Sequence, residues 1–73
     1  MRILYRNEEG FLSTVNVYYA AYNEDEGERG LYILTEDDDE LEFWGIDRIV
    51  CESLISELYR EGKVDLSVYR VTE

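Results

Sequence analysis

The residue types that could do chemistry in this chain are carboxylates, and most of them lie in one segment. Residues 24–42 contain ten of the eighteen Asp and Glu residues and a single base, so they carry a formal charge of −9 out of −11. The ten are Glu24, Asp25, Glu26, Glu28, Glu36, Asp37, Asp38, Asp39, Glu40 and Glu42. Carboxylates can act as acid and base, bind a hard cation or attract a positively charged partner. Each of these functions makes a different demand on the rest of the sequence.

Catalysis finds little support in the sequence. The chain has no histidine, the side chain that titrates near neutral pH. A carboxylate pair such as Asp37 and Asp39 would need unequal environments to separate its pKa values, and an exposed loop provides none. The single cysteine, Cys51, falls on the apolar face of a predicted helix, where packing is favoured over a nucleophilic role. We therefore predict no enzymatic activity, no catalytic residues and no cofactor.

A dedicated cation site is the second possibility. A calcium loop of the EF-hand type needs spaced oxygen ligands, a glycine at the sharp bend and a distal glutamate. The run from Glu36 to Glu40 has no glycine, and consecutive side chains in a tight turn point apart. Without histidine, a four-ligand Cys/His zinc site cannot be built from one cysteine. Divalent-cation binding stays the weakest alternative, and no metal ligands are predicted.

Composition indicates one small folded domain, residues 1–73. With 45% apolar residues, and with seven Tyr, two Phe and one Trp, the chain is too apolar for a disordered acidic tail. The N-terminus does not resemble a signal peptide and no apolar run reaches membrane-spanning length, which favours a cytoplasmic protein. Negative charge also argues against direct binding to nucleic acid or anionic membranes. A halophilic source, suggested by one lysine against six arginines, would explain the charge without a partner.

The apolar pattern predicts an α+β fold with the order β-β-β-β-α-β. We expect strands over residues 1–6, 11–22, 31–35, 41–44 and 63–72, and a helix over residues 47–61. Short loops favour an antiparallel four-stranded meander, with one amphipathic helix packed on one face. The C-terminal fifth strand, with Val64, Leu66 and Val68 inward, is expected to pair antiparallel beside the first.

Local signals define the helix and the longest strand. The helical stripe comprises Val50, Cys51, Leu54, Ile55, Leu58 and Tyr59, and Ile49 falls on the polar arc. Asp47 is expected to cap the helix through its carboxylate, and Gly62 to end it in a left-handed conformation. In residues 11–22, strict alternation places Val15, Val17, Tyr19 and Ala21 on one side, and Thr14, Asn16, Tyr18, Ala20 and Tyr22 on the other.

The meander has a consequence for charge. Alternate turns lie at the same end of a meander, so the turn with Glu8 and Glu9 is expected beside the loop 36–40, gathering seven carboxylates. The loop 24–28 would lie at the opposite end, roughly 15–20 Å away, with Glu42 along the strand between. The sequence therefore predicts a negative ridge.

This arrangement resembles, at the level of a class, the small acidic phage-encoded inhibitors that act as DNA mimics, including anti-CRISPR proteins. The resemblance rests on residues 24–28 and 36–42, the lack of catalytic groups, and strands followed by one amphipathic helix. It implies a non-enzymatic protein whose ten carboxylates bind a basic nucleic-acid-binding protein. The alternative is a homodimer or adaptor that uses an edge strand or a tyrosine-rich face, while charge serves only solubility. The candidate aromatic residues for that face are Tyr18, Tyr19, Tyr22, Tyr32, Tyr69 and Trp44.

Overall fold

The computed structural model describes residues 1–72 and has the predicted α+β class. The strands are β1 (Arg2–Arg6), β2 (Leu12–Asp25), β3 (Glu28–Thr35), β4 (Glu40–Trp44), β5 (Lys63–Asp65) and β6 (Val71–Thr72), and the helix α1 (Arg48–Glu61) lies between β4 and β5. Strands β1 to β4 pair antiparallel in sequence order, as the meander predicts. The helix packs mainly against β2 and β5, on one face of the sheet.

The C-terminal strand differs from the prediction in two respects. It is interrupted, and β5 pairs with β1 in parallel, with Val64 opposite Ile3, so the expected antiparallel pairing is wrong. The amide of Arg2 donates to the carbonyl of Gly62 at 2.9 Å, which places the end of the helix beside the start of β1. After the helix ends, the chain therefore runs beside β1 and in the same direction. The second piece, β6, pairs antiparallel with β4.

The sheet is curled because its two outermost strands are joined by a short segment. The strand order is β5-β1-β2-β3-β4-β6, so a flat sheet would hold β5 and β6 about 24 Å apart. Six residue steps from Asp65 to Val71 reach at most about 20 Å, and a turn closed by Tyr69 N–H and Leu66 C=O shortens that reach. The rings of Tyr5 in β1 and Phe43 in β4 meet edge-on at 6.1 Å, although two strands separate them. The core lies inside this curl.

The core is assembled from the inward side chains of every strand and one stripe of the helix. The largest fully buried side chains are Phe43, Ile3, Leu31, Ile33, Leu58, Leu66, Thr35 and Cys51. Burial also raises the pKa of the Cys51 thiol, in keeping with the predicted packing role. Among the predicted core positions, Val64 and Leu66 are buried, but Val68 lies in the turn between β5 and β6 and is 84% exposed.

The helix buries a narrower stripe than its sequence predicts. Cys51 and Leu58 are buried and Leu54 and Ile55 are partly buried, whereas Val50 and Tyr59 are exposed. Ile49 is 82% exposed, as its position on the polar arc predicts. A helix that lies over a curled sheet contacts it along a single line, which leaves the flanks of the stripe in solvent.

One of the two predicted helix caps is confirmed. Gly62 has φ +78° and donates its N–H to the carbonyl of Leu58 at 2.8 Å. Asp47 precedes the helix, but its carboxylate accepts no capping hydrogen bond, so the predicted side-chain cap is wrong. That carboxylate lies 3.9 Å from the guanidinium of Arg29, which competes for it. Within residues 1–72, no helix has the length and apolar character needed to cross a membrane.

Candidate partner-binding face

The first acidic segment is a tight hairpin rather than a loop. Strands β2 and β3 continue to Asp25 and Glu28, which stand opposite each other. The two residues between them, Glu26 and Gly27, have φ values of +49° and +85°, the pattern of a type I′ turn that matches the twist of the strands. The carboxylates near the hairpin tip are therefore placed by strand geometry, in fixed register.

Strand β2 contains an irregularity that no pattern in the sequence indicates. Its register with β3 passes from Val17 opposite Thr35 directly to Tyr19 opposite Leu34, which leaves Tyr18 without a partner. An extra residue of this kind is a β-bulge, and it shifts the alternation of side chains by one position.

The bulge redirects two tyrosines. Val17 and Ala20 are both buried, whereas Tyr18 and Tyr19 between them are 71% and 46% exposed. The predicted alternation therefore holds up to Val17 and fails beyond it. The amide of Ala20, next to the bulge, donates to the hydroxyl of Tyr59 on the helix at 3.4 Å. Two adjacent rings consequently lie on the face of the sheet opposite the helix.

The second acidic segment is a turn held by one buried threonine. Thr35 donates its N–H to the carbonyl of Asp39 at 2.9 Å, and its hydroxyl accepts the N–H of Asp39 at 3.0 Å. Asp38 adopts a positive φ of +67° within this turn. The amide of Glu36 donates to the carbonyl of Asn16, which ties the turn to the middle of β2. The four turn carboxylates are all exposed.

Strand pairing brings carboxylates and aromatic rings together on the outward side of β2, β3 and β4. In the register of β3 and β4, Tyr32 stands opposite Glu42 and Leu34 stands opposite Glu40. We define the acidic-aromatic face as the outward residues Tyr18, Tyr19, Asp25, Glu28, Tyr32, Glu40, Glu42 and Trp44. The outward positions of these three strands include no lysine or arginine.

Contacts within the face give it a defined geometry. The rings of Tyr19 and Tyr32 pack edge to face with centroids 6.3 Å apart. The hydroxyl of Tyr32 donates to Glu40 Oε1 at 3.0 Å. Desolvation, followed by this hydrogen bond, raises the pKa of the Tyr32 hydroxyl. A cavity of about 360 Å³ lies among these rings and is bordered by Glu40 and Glu42.

The basic residues beside the second half of β2, Arg29 and Arg48, lie on the other side of the sheet, whereas Arg2 and Arg6 of β1 stand opposite the first half of β2, at Asn16 and Leu12. Arg29 is 3.9 Å from Glu24, and Arg48 donates to Glu52 at 2.9 Å on the exposed helix surface. The guanidinium of Arg48 also lies 5.8 Å from the centre of the Tyr22 ring. Tyr22 donates its hydroxyl to Glu24, and its pKa is raised by desolvation and then by that carboxylate. These contacts place Glu24 and Tyr22 on the helix side, away from the acidic-aromatic face.

The structure thus divides the ten predicted carboxylates. Four lie on the acidic-aromatic face, Glu26 lies at its hairpin end, and Glu36, Asp37, Asp38 and Asp39 lie at its other end. Glu24 alone is directed to the opposite side. Of the predicted aromatic set, Tyr69 packs against the core and Tyr22 lies under Arg48, so neither belongs to the face.

The predicted gathering of seven carboxylates at one end of the sheet is wrong. Strand β3 ends opposite Val17, whereas the turn with Glu8 and Glu9 precedes Leu12 at the start of β2. The second acidic turn is bonded to Asn16, so about 13 Å of β2 separates the two turns at four residue rises. The first half of β2 pairs only with β1. The loop lengths in the sequence do not indicate this offset between the start of β2 and the end of β3.

The carboxylates do not converge as metal ligands. Among the described residues, no three Cys, Asp or Glu side chains are grouped closely enough to hold a metal ion. The acidic side chains of the turn are all exposed. The geometry therefore gives no support to a cation site.

Comparison with known proteins does not assign the chain to a group. No protein-family model, no curated protein and no solved structure matches it. The geometry and charge of the acidic-aromatic face are therefore the basis for assigning a function.

Proposed function

We propose that this chain is a non-enzymatic binding protein whose acidic-aromatic face receives a basic surface of another protein. The observation that carries the proposal is the segregation of charge: the outward positions of three strands hold four carboxylates and four rings but no base. Complementary potentials accelerate encounter and exclude partners of the wrong charge. A surface of this kind selects arginine and lysine side chains.

The chemistry of the face suits a cation with an apolar stem. Carboxylates accept charge-assisted hydrogen bonds from guanidinium and ammonium groups, and tyrosine rings attract the same cations through their faces. Tyr19 and Tyr32 lie next to Glu40 and Glu42, so one bound side chain can contact a ring and a carboxylate together. Tyrosine is also among the residues enriched in binding hot spots.

The amount of charge supports a partner that normally binds nucleic acid. Strand β3, Glu28–Thr35, spans about 23 Å, a length in which one DNA strand carries about seven phosphates and a duplex about fourteen. Nine carboxylates lie on the acidic-aromatic face or at its ends. Nine carboxylates are closer in number to the phosphates of one strand than to those of a duplex. Proteins that bind single strands combine a basic groove with contacts to stacked bases. The rings of the face would occupy the positions of bases, and the chain would block access of the nucleic acid.

The experiment compares two charge-matched variants in capture from the native host. Glu40→Gln with Glu42→Gln removes two charges from the face, and Glu57→Gln with Glu61→Gln removes two from the helix. The captured protein is then purified, and its affinity for each chain is measured by calorimetry. We expect the face variant to bind at least about tenfold more weakly, or ~1.4 kcal/mol, and the helix variant to bind like the wild type.

Salt and competition separate the proposal from self-association. Affinity for a basic partner falls as ionic strength rises, because exposed charge pairs are screened. A single-stranded oligonucleotide should displace the chain from its partner. Equal binding by the face variant, or affinity that does not change with salt, would show that the face is not the binding surface. Sedimentation that reveals a homodimer strengthened by salt would favour the oligomeric alternative.

A further inference from the structure

The first half of β2 has one unpaired edge. Residues Leu12 to Asn16 pair with β1 on one side, but β3 stops opposite Val17 and does not cover the other side. The amide of Val17 donates to the carbonyl of Met1 at 2.6 Å, and the carbonyl of Phe11 accepts the amide of Asn7 at 2.9 Å. Odd-numbered residues of this half therefore direct their backbone groups toward β1. It follows that Leu12 and Thr14 direct theirs toward the uncovered side.

This edge lacks the protection that natural sheets give to their outer strands. Exposed edges are normally blocked by lysine, by other charges, by proline or by a covering segment. The sequence from Leu12 to Val15 is Leu-Ser-Thr-Val, without a charge or a proline. Phe11 and Leu12 are 66% and 56% exposed at the start of the strand. The edge thus combines free backbone groups with apolar side chains.

A cavity lies beside Val15 of this strand and is acidic at one end. Its volume is about 410 Å³, and its walls include Tyr5 and Val15 on one side and Asp38, Asp39 and Glu40 on the other. No basic side chain lines it. Val15 and the turn residues Asp38 and Asp39 line the same cavity, and Glu36 is bonded to Asn16, so the acidic turn lies beside the open space at the Asn16 end of the uncovered edge. An added strand in this space would place one of its residues against the carboxylates of the turn.

We propose that this edge of β2 binds an extended peptide segment that carries a lysine or arginine. The segment pairs with Leu12 and Thr14 as an added strand, and its basic side chain lies against Asp38 and Asp39. Main-chain hydrogen bonds supply affinity in this mode, and side-chain pockets supply specificity. Charge repulsion opposes a second copy of the chain as the occupant, because each copy carries −11. This site shares Asp38 and Asp39 with one end of the acidic-aromatic face, but its backbone groups at Leu12 and Thr14 do not depend on the function proposed for that face.

The direct test uses a synthetic peptide, acetyl-Lys-Val-Thr-Val-Thr-Lys-amide, and the amide signals of the protein. In the free protein we expect the N–H groups of Leu12 and Thr14 to exchange with solvent much faster than those of Ser13 and Val15. The peptide should shift the Leu12 and Thr14 signals and slow their exchange. Replacing both peptide lysines with glutamates should abolish binding, and the double variant Asp38→Asn with Asp39→Asn should weaken binding about tenfold.

Backbone methylation tests strand addition without altering the protein. An added strand directs alternate amides toward β2, so N-methylation of one alternate set should abolish binding and methylation of the other should preserve it. In the protein, Thr14→Pro removes an N–H that is directed to the uncovered side of β2 and leaves the bonds to β1 intact, so the variant should fold and lose the peptide. Slow exchange of Leu12 and Thr14 in the free protein would overturn the proposal. So would equal tolerance of both methylated peptides, shifts located elsewhere, or a homodimer that protects these amides.

Discussion

Replacing Gly30 with alanine should destabilise the sheet that carries the acidic-aromatic face. Gly30 stands opposite Trp44 in the register of β3 and β4. A Cβ atom at Gly30 would overlap the carbonyl oxygen of Phe43, and would lie 2.9 Å from its carbonyl carbon and 3.0 Å from Trp44 Cα. All three atoms belong to the backbone, so no change of side-chain rotamer can relieve the overlap. Strand β4 must move away.

The expected loss is large for a chain of this size. Overpacking typically costs 1–3 kcal/mol, and a clash confined to backbone atoms belongs at about 3 kcal/mol. A 73-residue domain has a total unfolding free energy of about 4–11 kcal/mol. The variant should therefore lose a large fraction of its stability, and its Tm should fall by about 12–24 °C. Displacement of β4 would also move Trp44 and Glu42 on the face.

Thermal unfolding followed by far-UV circular dichroism measures this loss, and Gly27→Asn is the matched control. Gly27 lies in the adjacent hairpin with φ +85°, and nothing lies within 4 Å of a Cβ atom placed there. Because asparagine tolerates this left-handed conformation, the control should lose less than ~1 kcal/mol. If Gly30→Ala melted within about 3 °C of the wild type, the close approach of β4 to Gly30 would be wrong.

Two further predictions concern proton binding. Desolvation and the hydrogen bond to Glu40 raise the pKa of the Tyr32 hydroxyl in the folded protein. The neutral hydroxyl therefore stabilises the fold at pH values below the unfolded pKa of ~10. This contribution is lost as pH rises through the folded pKa. Glu40→Gln should lower the pKa of Tyr32 in an NMR titration, and an unchanged value would show that the bond is absent. The side-chain hydroxyl and backbone N–H of Ser67 lower the pKa of Asp65, so its carboxylate stabilises the fold above ~3.9 and loses this effect as pH falls through the folded pKa. In urea unfolding, the Asp65→Asn variant should therefore have a lower unfolding free energy than the wild type at pH 7, and the two values should converge at low pH. A difference in unfolding free energy of equal size at both pH values would contradict this role.

Much of the fold follows from local pattern, and the helix is the clearest case. Its apolar stripe places Cys51 and Leu58 in the core, its polar arc leaves Ile49 in solvent, and Gly62 ends it. The pattern does not indicate how narrow the contact between the helix and the curled sheet is. Val50 belongs to the predicted apolar stripe but lies outside that contact and is exposed. The predicted side-chain cap at Asp47 is absent for a similar reason. Its carboxylate lies near Arg29, which belongs to β3 and is distant in the sequence.

The sequence predicted which segments carry the negative charge, but not which side chains share one surface. Composition alone identified the acidic segments that lie on or beside the face. It did not indicate that Glu24 would turn to the helix side, nor that Tyr18 and Tyr19 would both face outward. A one-residue bulge decides the direction of every side chain beyond it, because successive residues of a strand point to opposite sides.

The sequence by itself determined the α+β class, the order of the elements, the helix and the concentration of negative charge in residues 24–42. Only the tertiary structure decided which carboxylates share a face with which rings, the parallel direction of β5, and the exposed edge of β2. The physical reason is the range of the interactions. Periodicity and turn chemistry act between neighbours in the chain, whereas register, curl and stagger are set by strands that meet only after folding.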